Sequence, residues 1–332
     1  MRIRPVTSDD HDAILALAKE AGIGMTSLPP DEEVLAEKID RAVKSFASTP
    51  DYEGGESFLF VLEDTDAQRI VGTCGIAAHV GLKQPFYSYK LSTIIQSSTE
   101  MDVYGTQKVL NVVNDYTGAS EIGSLFLLPE YRRDRIGRFL SRMRFVFMAQ
   151  FRALFDDRAI AEIRGVHDRE GNSPFYDSIA KHFFHMPFTK ADYINATKGN
   201  QFITDLMPKY PIYVNLLPKS AQEVIGAPLP SSEPAKAMLE REGFRYNEYL
   251  DVFDGGPTME ARVDDIHTVK ESFATTVGEI VPYVEGEKHI ITTTQLSDFG
   301  AAVGRANLLD DKSLRITERV ATLLNILSLI HI

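Results

Sequence analysis

Apolar positions along the chain follow two periods, and the switches between them mark the elements. Residues 2–6 alternate as a short strand. Thr7 and Ser8 then offer helix caps ahead of Ala13, Ile14, Leu17, Ala18 and Ala21, which recur at helical spacing. The pattern breaks over 22–30 and resumes with Leu35, Ile39, Ala42 and Phe46 on one helical face. Residues 57–64 and 70–80 are apolar and β-prone, and the polar turn 65–69 between them predicts a hairpin. Residues 81–117 keep no clean period and are rich in Tyr and Ser, so they read as an insertion.

A strongly apolar strand is predicted over 121–128 and ends at Pro129. Beyond a basic stretch, Leu140, Met143, Phe147, Phe151 and Leu154 share one face of a long helix. Residues 159–166 form a further predicted strand, and 173–184 a helix with Ser173 as cap and Pro174 at its first position. The stretch 195–234 reads as loop, punctuated by Pro208, Pro211, Pro218, Pro228, Pro230 and Pro234. A helix over 235–242 stops at Gly243, and a strand over 244–253 ends at Asp254-Gly255-Gly256-Pro257. Past residue 263 only short β-prone pieces remain (269–277, 279–284, 289–294 and 304–309). Two regions are therefore expected: a main one over 1–262 and a small β-rich subdomain over 263–332.

Composition narrows the function. The 332 residues carry 47 Asp and Glu against 35 Lys and Arg, a net charge of −12. That balance argues against nucleic acid or an anionic membrane surface as partner. One cysteine, Cys74, excludes a disulfide framework and a multi-Cys zinc site, and its apolar surroundings predict a buried, inert thiol. His182 and His185 lack a clear third ligand, so no metal site is expected. The N-terminus has no apolar signal core, and no apolar run approaches the roughly 20 residues that span a bilayer. A cytoplasmic protein is the expectation.

The chemistry concentrates where the strand over 121–128 meets the long helix. Arg132, Arg133, Arg135, Arg138, Arg142 and Arg144 crowd thirteen positions of an otherwise acidic chain. Amides at a helix N-terminus are unpaired and carry partial positive charge, so a basic strand-to-helix turn suits an anion. The spacing Arg132-x-x-x-x-Gly137 resembles the pyrophosphate-binding turn of the GNAT acyltransferase superfamily. The chain as a whole resembles the bacterial arginine N-succinyltransferases, through Thr26-Ser-Leu-Pro29, Ser173-Pro-Phe175, Leu206-Met-Pro-Lys-Tyr-Pro-Ile-Tyr213, Glu242-Gly-Phe-Arg-Tyr246 and Phe253-Asp-Gly-Gly-Pro-Thr258.

The resemblance implies an α+β fold of the GNAT type, a mixed central sheet flanked by helices. It implies succinyl-CoA as co-substrate, no tightly bound cofactor, and L-arginine as acceptor, the first step of arginine breakdown by succinylation. Ornithine as acceptor, or a CoA-binding subunit with little or no turnover, are the alternatives. A homo-oligomer, or a hetero-oligomer with a related subunit, is expected. Leu125, Phe126 and Leu127 would pair with the pantetheine arm, and Arg132, Arg133, Arg135, Ile136, Gly137 and Arg138 would hold the pyrophosphate. Glu121 is a candidate base for the amine and Tyr176 a candidate neighbour of the sulfur. A guanidinium calls for carboxylates, and Glu248, Asp251, Asp254 and Glu260 cluster around the signature turn. Three features depart from the family pattern. Arg135 replaces the first glycine of the turn, and Leu229 stands where the family carries a proton-donating histidine. The last residues, 327–332, do not resemble the family terminus, so the annex is expected to be incomplete.

Overall fold

The computed structural model describes residues 1–47 and 55–326; residues 327–332, whose departure from the family was noted above, lie outside them. Fourteen strands among these residues build one long sheet. They are β1 (Arg2–Pro5), β2 (Ser57–Asp64), β3 (Arg69–Ala77), β4 (Ser88–Ser98), β5 (Val103–Val113), β6 (Ser120–Leu127) and β7 (Arg158–Glu162). The second half supplies β8 (Ile212–Tyr213), β9 (Arg245–Asp251), β10 (Pro257–Arg262), β11 (Val277–Val281), β12 (Lys288–Thr292), β13 (Ala301–Leu308) and β14 (Leu314–Thr317). Their order is β11-β14-β13-β1-β2-β3-β6-β7-β10-β9-β4-β5-β8, with β12 also on β13. Pairing is antiparallel except at β6/β7 and β11/β14.

Three helices flank the centre: α1 (His11–Ala21), α2 (Glu32–Ala47) and α3 (Ile136–Gln150). On α2 the buried residues are Leu35, Ile39, Ala42 and Phe46, the face that the spacing predicts. The main core gathers Phe46, Phe58, Phe60, Phe147 and Phe299, with Phe147 ring centroids 5.0 Å from Phe60 and 4.9 Å from Phe299. Truncating such a buried ring to alanine typically costs about 3–5 kcal/mol. A second core surrounds Tyr89, Phe175, Tyr176 and Phe253, and a third, with Ile291, Ile316 and Val320, lies under the C-terminal strands.

Several elements differ from the sequence expectation. Residues 81–117 are mostly the long hairpin β4/β5, paired from Ser88↔Val113 to Ser98↔Val103. Its outer half is exposed on both faces, which erases the alternation that marks a strand. The helix expected over 173–184 is broken at Ile179 into Pro174–Ser178 and Lys181–Phe184. The stretch 195–234 holds the end of a helix that begins at Phe188 (Phe188–Lys198) and the helices Gln201–Leu206 and Lys219–Val224. Residues 267–271 are helical, not β, and Pro257–Arg262, left unassigned, is the central strand β10. The sheet also runs on from the main region into the C-terminal strands through Ile3↔Ala301.

Candidate active site

β6 and β7 are parallel neighbours that stay paired only at Ser120↔Ala159 and Glu121↔Ile160. Further on they diverge. On the other side of β6 the register with β3 slips between Thr73↔Phe126 and Gly75↔Gly123, leaving one extra residue on β6. Ser124 sits in this bulge with φ +49°, a left-handed conformation that turns the strand away from its neighbour. The divergence opens a cavity of about 880 Å³, bordered by Gly123, Leu125, Phe126 and Leu127 from β6 and by Glu162 from the end of β7.

At one end of the cavity lies the basic turn. After the short 3₁₀ turn Pro129–Tyr131, Asp134 and Arg135 both adopt positive φ, +53° and +64°. A left-handed conformation costs a side-chain-bearing residue roughly 1–2 kcal/mol, which explains a preference for glycine at this place. The Ile136 amide donates to the Arg133 carbonyl at 3.0 Å and the Phe139 amide to the Arg135 carbonyl at 3.0 Å. Among the described residues, the Gly137 and Arg138 amides have no such partner. Arg132 turns back, donating from Nε to the Leu127 carbonyl at 3.0 Å with its guanidinium over the Phe126 ring. Arg132, Arg133, Arg135 and Gly137 border the cavity, whereas Ile136 and Arg138 do not. Arg142 lies elsewhere, ion-paired to Glu242 at 2.6 Å.

Five of the carboxylates that border the same cavity, Glu121, Glu162, Asp192, Asp251 and Asp254, lie close enough to act on one another's charge, with Arg164 beside Asp254 and Asp192. Burial raises Glu162 well above the usual carboxylate range, and the nearby charges of Asp251, Glu121 and Asp254 push it further. Glu121 is raised by burial too, against the attraction of Lys38. Asp251 is raised by burial although its Oδ1 accepts from the Phe253 amide at 2.7 Å and the Asp254 amide at 2.9 Å. Asp192 accepts from the Thr26 hydroxyl at 2.5 Å. Asp254 is raised by burial and by Asp251 while it clamps the signature turn to the end of β7. Its carboxylate accepts from the Gly165 amide at 2.7 Å and the Gly256 amide at 2.8 Å. The approach is so close that a Cβ at Gly256 would collide with the Ile163 carbonyl and the Gly165 amide.

The remaining sequence candidates fall outside this cavity. Glu248 is exposed, with a left-handed backbone in β9. Glu260 accepts from the Tyr116 hydroxyl at 2.7 Å and from the Asn247 side-chain Nδ2 at 2.9 Å. Tyr176 is fully buried in the second core, donating its hydroxyl to the Met186 carbonyl at 3.1 Å. Leu229 is half-buried on a segment bound to the chain beyond β7, its amide donating to the Arg164 carbonyl at 2.7 Å. Cys74 is buried, and burial pushes its thiol up to about 12. Glu162 and Asp192 were not singled out from the sequence. For Glu162 a signal exists, an ionisable side chain inside the apolar run 159–163. Asp192 gives none, because it lies on a helix, Phe188–Lys198, that the apolar pattern does not mark.

A mixed sheet whose two parallel neighbours part after a bulge, with a basic turn opening the following helix, is the fold of the GNAT type of N-acyltransferase. A family model described as arginine N-succinyltransferase beta subunit matches residues 1–268. The chain belongs to the arginine N-succinyltransferase family. It is 41% identical over 333 residues to the arginine N-succinyltransferase of Yersinia pestis (strain Pestoides F), covering 98% of this chain and 95% of that one. It is 46% identical over 283 residues to the enzyme of that name from Enterobacter sp. (strain 638), covering 85% and 82%. The solved structure of arginine/ornithine succinyltransferase subunit AI from Pseudomonas aeruginosa superposes with a TM-score of 0.89 at 33% identity, covering 98% of this chain and 94% of that one. Among the described residues, no helix is long and apolar enough to cross a membrane.

Proposed function

We propose that the protein transfers the succinyl group of succinyl-CoA to the α-amine of L-arginine. The supporting observation is that one cavity is bordered both by Arg132, Arg133 and Arg135 of the basic turn and by the carboxylates Glu121, Glu162, Asp192, Asp251 and Asp254, with Arg164 beside Asp254 and Asp192. The arginines and the free amides of Gly137 and Arg138 suit the pyrophosphate of CoA. Glu162, Asp192, Asp251 and Asp254 suit the guanidinium and ammonium groups of a cationic amino acid.

Glu121 takes the amine proton, directly or through a water; burial raises its affinity for that proton. The amine nitrogen then attacks the thioester carbon. The C–N bond forms, the C–S bond breaks, and CoA departs as thiolate and takes up a proton. Tyr176 is given no part in this, because its hydroxyl is already bonded to Met186.

Release of CoA thiol from succinyl-CoA, measured with arginine, ornithine, norleucine or no amine, tests the proposal. Release that depends on arginine supports it. A comparable rate with norleucine removes the carboxylates from acceptor recognition, because a site built on charged hydrogen bonds rejects an analogue that lacks them. Faster release with ornithine makes ornithine the acceptor. Leu229 favours a second reading, a CoA-binding subunit without turnover that works beside a related chain. Binding of CoA without thiol release, and activity restored by such a partner, would establish it.

A further inference from the structure

Arg144 is a buried cation without an anion. It is 2% exposed yet borders the cavity. Its Nε donates to the Ser141 carbonyl at 3.1 Å and its Nη2 to the Ser141 hydroxyl at 2.9 Å, both uncharged partners. Nη1 has no partner among the described residues, and no carboxylate there pairs with the guanidinium. An isolated buried charge is among the most expensive features a fold can carry, so it signals a missing counter-ion. The other cavity arginines are placed differently. Arg132, Arg133 and Arg135 are exposed at the basic turn. Arg164 lies under the influence of Asp254 and Asp192 and donates to the Ile23 carbonyl at 3.0 Å.

The position of Arg144 along α3 fixes what such an anion would be. Leu140 reaches the level of Gly72, which pairs with Leu127. Arg144 lies one turn further along a helix that runs back beside β6, a step of about 6 Å. That step equals roughly two strand residues and brings it level with Leu125 and the bulge at Ser124. Cys74, close enough to act on the guanidinium's charge, is two residues beyond Gly72 on β3 and agrees with this level. The bulge marks the inner end of the gap between β6 and β7, where an acyl group would leave the pantetheine arm. A succinyl group carries its carboxylate two methylenes beyond the thioester carbon.

We propose that Arg144, held by Ser141, binds the terminal carboxylate of the succinyl group and selects a dicarboxylic over a monocarboxylic acyl donor. The assignment rests on the acyl-CoA reading of the cavity. It completes that cavity's charge pattern: an anionic acyl chain on Arg144, and a cationic acceptor among the carboxylates. Opposite charges in separate subsites keep either substrate from occupying the other's place.

Binding of three ligands, CoA, butyryl-CoA and succinyl-CoA, measured by calorimetry, tests the assignment without requiring turnover. Butyryl-CoA keeps the chain length and replaces the carboxylate by a methyl group. The unmodified protein should bind succinyl-CoA about 100-fold more tightly than butyryl-CoA, in line with a site that rejects a ligand leaving its polar groups unpaired. Arg144→Gln should bring succinyl-CoA down to the butyryl-CoA level while CoA and butyryl-CoA stay within about threefold. Ser141→Asp, which keeps Arg144 but supplies an internal carboxylate in place of the hydroxyl that now accepts from Nη2 at 2.9 Å, should do the same. It serves as the independent variant should the first not fold. Equal binding of succinyl-CoA and butyryl-CoA by the unmodified protein overturns the proposal. So does a selectivity that survives either folded variant, or a parallel loss of both acyl-CoAs with CoA binding intact. Failure of the unmodified protein to bind CoA overturns the parent reading and this assignment together.

Discussion

Ser27 and Ser124 are tied by two hydrogen bonds, the Ser124 amide donating to the Ser27 Oγ at 3.0 Å and the Ser124 Oγ to the Ser27 carbonyl at 3.0 Å. The bulge of β6 is thus held by the segment between α1 and α2, far away in sequence. Ser27→Ala removes the acceptor for the Ser124 amide. The expected result is a loss of about 1 kcal/mol in stability by denaturant unfolding. The rate of thiol release should fall more than CoA affinity, because the bulge at the inner end of the gap between β6 and β7 loses a support. An unchanged rate in a protein of unchanged stability would show that the bulge needs no such support.

Arg132→Ala combined with Arg133→Ala should weaken CoA at least tenfold in calorimetry while arginine affinity stays nearly constant. The loss should shrink at high salt, because Arg133 is exposed and its ionic contact is screened. Equal CoA affinity in variant and parent would move the pyrophosphate away from the turn.

Arg135 offers a test in the opposite direction. With φ +64° it occupies a conformation that glycine adopts without strain. Arg135→Gly should therefore gain up to about 1 kcal/mol by denaturant unfolding, with the greater chain freedom of glycine subtracting part of the gain. CoA affinity should fall only modestly. A clear loss of stability would mean that the Arg135 side chain stabilises the turn by more than its backbone strain costs.

The acidic cluster predicts a proton signature. Glu162 is raised by burial and by its acidic neighbours, so the folded protein holds its proton at pH values where the unfolded chain has released it. This component of stability decreases as pH rises from the ordinary carboxylate range toward the raised folded value. Glu162→Gln should flatten that decrease in melting temperature measured against pH. A cationic acceptor favours the ionised form, so arginine binding should release protons. Calorimetry in buffers of different ionisation enthalpy reads the release; uptake of protons would place the guanidinium elsewhere.

Leu229→His should raise the rate of thiol release, with CoA affinity little altered. General acid assistance is worth roughly 10²–10⁴-fold, and a thiolate that leaves readily puts the expected gain near the lower figure. Rates of both forms across pH 6 to 9 check this. If the unmodified chain already turns over at about 10 per second and histidine adds nothing, position 229 is not the donor site in this protein.

The strand-turn-helix unit around Arg132 was legible because its periodicity, its proline stop and its charge all coincide within twenty residues. The α2 face was legible for a similar reason, since Leu35, Ile39, Ala42 and Phe46 have no competing pattern. The β4/β5 hairpin was not, because strands such as 103–106 face solvent on both sides and carry Tyr, Gly and Thr instead of an alternating apolar set. For the acidic cluster, Asp251 and Asp254 stood out through the signature turn. Glu248 and Glu260 were grouped with them by proximity in sequence. Strand geometry and the turn separate the four: two border the cavity, one faces solvent and one is bonded to Tyr116. Arg144 appeared in the sequence as one of six arginines, and only its burial distinguishes it.

The short parallel pairing of β6 with β7 has a thermodynamic consequence. Past Glu121 and Ile160 the centre of the sheet forgoes ladder bonds on the facing edges of two strands, at the place where most proteins are best protected. A pantetheine arm bound there, as proposed, would take the place of a further strand by pairing with those free edges. Ligand affinity and core stability are then one quantity seen from two sides. Saturation at 100 times the dissociation constant would add about 2.7 kcal/mol to the folded state. Amide exchange along β6 and β7 should slow most strongly there.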